Sequence, residues 1–221
     1  MQDWNIQYKD IIAELDEIKI LTEERKQLLN AVNKNRRRLR TKLIKYSFLE
    51  DLIGVETYYT KMENAVKLYF NEFGYSEVHN ISKDGEEDLR CFIGTNKLIL
   101  IEVTASDGCN VKEDTVGQLT KRMGLRRIQF KGFKLYGCTI VSHDFKKPYH
   151  KRCKEPFNKK LKEYAETSEI SLVTTTDLVN AFIDIKTGKV KPEALINIIC
   201  TSGIFKDNWV QHKLEISTLK D

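Results

Sequence analysis

Apolar residues recur along this chain with two different periods, and the change between them divides it. Residues 5 to 46 contain no Gly and no Pro. Ile11, Leu15, Ile18, Leu21, Leu28 and Val32 follow at spacings of three, four and seven. That stripe predicts one long N-terminal helix. Arg25, Asn35 and Lys42 interrupt it, so it also fits a short, imperfect coiled coil. Leu52-Ile53-Gly54 breaks the pattern. A second stripe, Tyr59, Met62, Val66, Tyr69 and Phe73, predicts a helix over about 56–73, closed by Gly74 as a C-cap.

Beyond Gly74 the period shortens. Apolar runs predict strands at 75–80, 87–93 and 97–103, the last two separated by the turn-like Gly94-Thr95-Asn96. A helix follows over about 111–127, with Val116, Leu119 and Met123 facing the core. A strand at 133–142, a basic loop at 143–154, a helix at 156–167, a strand at 170–174 and a short helix at 175–185 come next. Pro192 lies in the first turn of a last helix near 192–200, and Thr176 or an adjacent Thr caps the helix before it. Residues 203–221 are read as a C-terminal tail. Helices alternating with strands imply an α/β domain with a mixed sheet over 50–202, preceded by a helical arm over 1–49.

The 221 residues, 41% hydrophobic and 31% charged, suffice to bury a core. A formal net charge of +5 suits a polyanionic partner without identifying one. The N-terminus lacks the apolar core of a signal peptide. No apolar run approaches the roughly 18–20 residues of a membrane span. The five cysteines are odd in number, scattered and without a CxxC pair. They argue against zinc and for reduced thiols in the cytoplasm, Cys109 and Cys153 included. The four histidines show no ligand spacing beyond a loose His143/His150 pair. Neither HExxH, GxGxxG nor GxxxxGK[ST] occurs, so zinc-protease, dinucleotide and P-loop chemistry find no support.

Positive charge is concentrated. Residues 34–45 carry seven basic side chains, Arg36, Arg37, Arg38 and Arg40 among them, and no acid. The loop at 144–154 holds Lys146, Lys147, Lys151 and Arg152 around Tyr149 and His150. Each segment reads either as a solvated surface or as a phosphate contact, with Tyr149 placed to stack on a base. Lys121, Arg122, Arg126 and Arg127 add positive charge on the helix over 111–127.

The candidate chemistry lies at 86–106. Asp88 begins one apolar run and Glu102 ends the next. Two strands joined by a tight turn bring these acids together at one end of a sheet. Alternation puts Leu98, Leu100, Glu102 and Thr104 on one strand face, so Glu102 lies close to the core. A carboxylate there must be paired, hydrogen-bonded or metal-bound, unless it reaches water at the strand end. Glu63, beside Met62 and Val66, reads equally as a third ligand or a surface acid.

This order, a helix with Glu63, a strand begun by E-D-L at 87–89, L-I-L-I-E-V-T-A-S at 98–106, G-Q-L at 117–119 and L-V-T-T-T-D-L at 172–178, resembles the PD-(D/E)xK superfamily. The resemblance covers about two thirds of the chain, from 50 to 185. It implies a restriction-endonuclease-like fold and Mg²⁺- or Mn²⁺-dependent phosphodiester hydrolysis of DNA or RNA. Asp88 and Glu102 would be metal ligands, Glu63 would complete the site, and Gln118 would be the polar residue of the following helix. The family usually has Lys where this chain has Thr104. Lys121, and less directly Lys61, would supply the missing ammonium; alternatively the metal acts alone, or catalysis is lost and binding kept. A non-catalytic subunit that dimerises or docks through its N-terminal helix is the other reading. Membrane-surface binding by that helix is disfavoured by its sparse apolar face. Host-defence or mobile-element roles follow by analogy with the family's usual settings.

Overall fold

The computed structural model describes residues 22–34, 46–54, 59–81 and 85–218. The chain divides into two units, Met1–Ser47 and Phe48–Asp221. In the first, residues 22–34 form a helix, α1, along which Leu28, Leu29 and Val32 are exposed. The remainder of the long helix expected over 5–46 lies largely outside the described residues, Arg36, Arg37, Arg38 and Arg40 with it.

The second unit is α/β. Two helices, α2 (Phe48–Ile53) and α3 (Tyr59–Glu72), precede three strands, β1 (Val78–Asn80), β2 (Leu89–Ile93) and β3 (Lys97–Ser106). Then come α4 (Asp114–Gln129), β4 (Lys134–His143), α5 (Lys159–Thr167), β5 (Ile170–Thr174), α6 (Thr175–Lys186) and α7 (Glu193–Ile199). A two-residue strand β6 (Gly203–Ile204) and a helix α8 (Phe205–Thr218) complete the unit. The six strands lie in sequence order in one mixed sheet: β1, β2 and β3 are antiparallel neighbours, and β3 to β6 run parallel.

Alternation along β3 explains the two layers. Leu98 and Leu100 face one side, where they pack with Val116, Leu119 and Met123 of α4 and Leu161 and Ala165 of α5. Ile99 and Ile101 point to the other side. There Met62, Val66 and Tyr69 bury the inner stripe of α3, and the Tyr69 hydroxyl donates to the Leu178 carbonyl of α6 at 2.8 Å. With helices covering both faces, the central strands read as nearly unbroken apolar runs.

Two expectations fail. The segment read as a tail is structured over 203–218: β6 pairs with β5, and α8 buries Phe205 and Trp209, whose rings stack 5.4 Å apart. A two-residue strand and a weakly amphipathic helix leave little periodic signal. Nor are Cys109 and Cys153 separate thiols, for they form a disulfide with Cα atoms 5.4 Å apart. They follow β3 and β4, which pair side by side, so 44 residues of sequence separation vanish in space. Cys91, Cys138 and Cys200 are free.

Candidate functional site

The site forms where β2 gives out beside β3. Leu89 pairs with Ile101 at the last step of their antiparallel ladder. One further step sets Asp88 opposite Glu102, and directly opposed residues of antiparallel strands share a face. Asp88 fixes this end itself, because its Oδ2 accepts the Val103 backbone N–H at 2.7 Å. The carboxylate thereby takes over a donor that β2 no longer satisfies.

Glu102 lies on the α4 face, its side chain 12% exposed, and makes an ion pair with Arg122. Its other neighbours oppose its charge. Burial, then the charge of Asp88, push the Glu102 carboxyl up to about 7, against the pull of Arg122. Burial also raises Asp88, outweighing the Val103 hydrogen bond and Arg122. Glu63, half-buried on α3, is raised by burial and by the charge of Asp88. The three acids are thus electrostatic neighbours. On the strand beside Glu102 stands its register partner Thr139, whose buried Oγ1 has no hydrogen-bond partner.

A second, fully paired acid group adjoins the first. Glu87 is buried, and Arg90 and Arg126 both donate to it. Glu86 accepts from Arg90 at 2.9 Å and pairs with Arg126 at 3.2 Å. Burial raises the Glu87 carboxyl, but the arginine hydrogen bonds outweigh it and hold the group below its ordinary value. Glu87 is thus structural.

The remaining expected residues lie elsewhere. Gln118 and Lys121 stand exposed on the outer side of α4, because the helix turns about 100° per residue and Val116, Leu119 and Met123 take the inner side. Lys61 is exposed on α3. Arg122, three residues beyond Leu119, is the α4 side chain that pairs with Glu102, a position on the inner edge of the helix that helical spacing makes legible. Arg152 is buried and donates to the carbonyls of Ile53 at 2.6 Å and Lys147 at 3.2 Å, so it fastens a loop and is not on the surface. Lys146 and Lys147 pair with Asp107 and Asp144, and Lys151 is exposed. Tyr149 is held by a 2.7 Å bond from its hydroxyl to Asn180 Oδ1.

Among the described residues no three His, Cys, Asp or Glu side chains group as a metal cage. The acids instead offer a desolvated pair with a bare hydroxyl beside it. That donor set suits Mg²⁺, which keeps several waters and is commonly held by one or two carboxylates plus a substrate phosphate. From Thr104 a cleft of about 640 Å³ opens along the loop after β3, lined by Ser106, Asn110, Lys112 and Thr115. No described helix is long and apolar enough to cross a membrane. Comparison of the chain with family models, curated proteins and solved structures finds no match.

Proposed function

We propose that the chain is a nuclease of the PD-(D/E)xK type that hydrolyses phosphodiester bonds of DNA or RNA with Mg²⁺ or Mn²⁺. The observation that carries this reading is the Asp88–Glu102 pair, set opposite each other where β2 ends beside β3, both desolvated and Glu102 raised further by the charge of Asp88. Two buried carboxylates in that state attract a divalent cation, because the cation offsets the burial that raises both groups and the charge of Asp88 that raises Glu102. The element order supports the same reading: α3, antiparallel β1 to β3, α4, then β4 parallel to β3 is the order of a restriction-endonuclease-like core. Asp88 and Glu102 would hold the cation, with Glu63 within electrostatic reach. When bound, it would activate a water and neutralise charge developing on phosphate. The chain's own contribution is to fix the pair, through the Val103 amide on Asp88 and through Arg122 on Glu102.

The test is incubation of the full chain with plasmid, single-stranded DNA and RNA in Mg²⁺ and in Mn²⁺, beside Asp88→Ala and Glu102→Ala. Cleavage by the wild type that falls about 100-fold or more in both variants is expected. Cleavage that survives both substitutions removes the site. A second reading has one observation in its favour, the exposed Leu28, Leu29 and Val32 of α1. They suit a protein partner or a second copy, in a subunit that grips nucleic acid without cutting it. Under that reading, oligomers persist by mass measurement and calorimetry finds no metal binding.

A further inference from the structure

Building on the nuclease reading of Asp88 and Glu102, we propose that Arg122 is a catalytic residue whose guanidinium receives the phosphate of the substrate. Three arginines flank the acids, and their hydrogen bonds separate them. Arg90 donates Nε to Glu87 and Nη2 to Glu86. Arg126 donates Nε to Glu87 and Nη1 to Gln129, and its Nη2 pairs with Glu86. Both forks are occupied by protein. Arg122 gives Nη1 to Glu102, while its Nε and Nη2 have no acceptor among the described residues.

Its side chain is nonetheless only 15% exposed. A guanidinium largely withdrawn from water, with donors still to give, matches an anion that can accept two parallel N–H bonds, and a phosphate is such an anion. Glu102 aims it. The same strand face continues to Thr104, which brings a hydroxyl and no charge, and there the cleft of about 640 Å³ begins. Arg122 thus supplies the fixed positive charge of the site. It makes and breaks no covalent bond, and its guanidinium stays protonated throughout. As the water oxygen bonds to phosphorus and the phosphorus–oxygen ester bond breaks, the water proton ends on the leaving alkoxide. The guanidinium meanwhile holds the negative charge that grows on the phosphoryl oxygens.

The test compares the full-length wild type with Arg122→Ala, Arg122→Lys and Asp88→Ala in four measurements. They are kcat and KM in Mn²⁺, calorimetric Mn²⁺ binding without nucleic acid, anisotropy of a labelled oligonucleotide in EDTA, and thermal melting. For Arg122→Ala, kcat is expected to fall about 100-fold or more, with Arg122→Lys recovering part of it. Mn²⁺ binding is expected to hold or tighten, because Glu102 loses a competing cation, whereas Asp88→Ala loses it. Wild-type cleavage by Arg122→Ala overturns the proposal. Loss of Mn²⁺ binding in Arg122→Ala to the extent seen in Asp88→Ala also overturns it, for Arg122 would then only hold Glu102 in place. Should the wild type cut nothing yet hold the oligonucleotide, the nuclease reading falls alone. A tenfold weaker hold in Arg122→Ala would then keep Arg122 as a phosphate contact, and an unchanged hold would remove it. If the wild type neither cuts nor holds oligonucleotide, both fall.

Discussion

At the scale of the residue, neighbouring acids meet opposite fates. Glu87 has two arginines and stays ionised, whereas Glu102 has one arginine, an acid across the strand and little water. The Glu102 carboxyl rises to about 7 from an ordinary 4.5. Between those values the folded chain keeps a proton that the unfolded chain has released, so this group's contribution to stability falls as pH rises through the window. Above it the cost reaches at most about 3 kcal/mol before solvent screening reduces it. Glu102→Gln is therefore expected to be more stable than the wild type at pH 8 and nearly equal to it at pH 4, as measured by urea unfolding. Equal gains at both pH values would mean that Glu102 carries no such burden. Glu87→Ala should act in the opposite sense, costing about 1.5–3 kcal/mol in the same measurement, because Arg90 and Arg126 lose their buried acceptor and keep Glu86 as the one acid they share. The sequence made Glu102 a candidate because an acid ended an apolar strand. It gave no means to tell Glu87, held by two arginines, from Asp88 one residue on, held by a backbone amide, since the arginines come from β2 and from α4, 39 residues away in the case of Arg126.

At the scale of the element, α4 depends on a glycine in the strand beneath it. A Cβ at Gly137 would stand 2.7 Å from both Met123 Sδ and Ile170 Cγ1, so α4 packs closely over β4 only because that position is bare. Gly137→Ala is expected to cost about 1–3 kcal/mol by overpacking and to disturb the neighbouring Arg122, read as a lower melting temperature with weaker oligonucleotide binding. Strand propensity argues the reverse, since Gly weakens a strand interior. The helix phase was legible in sequence through Val116, Leu119 and Met123, and the structure leaves Lys121 exposed while Arg122, one position on, pairs with Glu102. One residue is about 100° of helix, the difference between solvent and the acids. The start of α6 was legible for a local reason: Thr174 and Asp177 close a capping box within four residues. The end of the domain was not. Removing 203–221 should abolish cooperative thermal unfolding, because Phe205 and Trp209 are core; an unchanged transition would restore the tail.

At the scale of the whole molecule, the disulfide ties the loop after β3 to the loop after β4, beside the cleft that begins at Thr104. Closing a loop between residues 44 apart is worth about 4 kcal/mol in the chain-entropy account. Thiol labelling of the denatured chain should find three reactive cysteines before reduction and five after, with a lower melting temperature once reduced. Five labelled thiols without reductant would mean the bond does not form. Its pairing could not be read from five scattered cysteines, because spacing records distance along the chain and disulfides depend on distance through space. The same division runs through the protein. By itself the sequence determined the elements from α3 to α7 and their faces, since helix and strand periods are local consequences of backbone geometry. It also determined that Asp88 and Glu102 belong together, since a tight turn leaves two short strands one pairing. Only the tertiary structure decided that Arg90 and Arg126 go to Glu87 and leave Arg122 to Glu102, that Arg152 is a fastener and that the last helix is core. Those outcomes depend on which side chains from distant elements fill the same few ångströms.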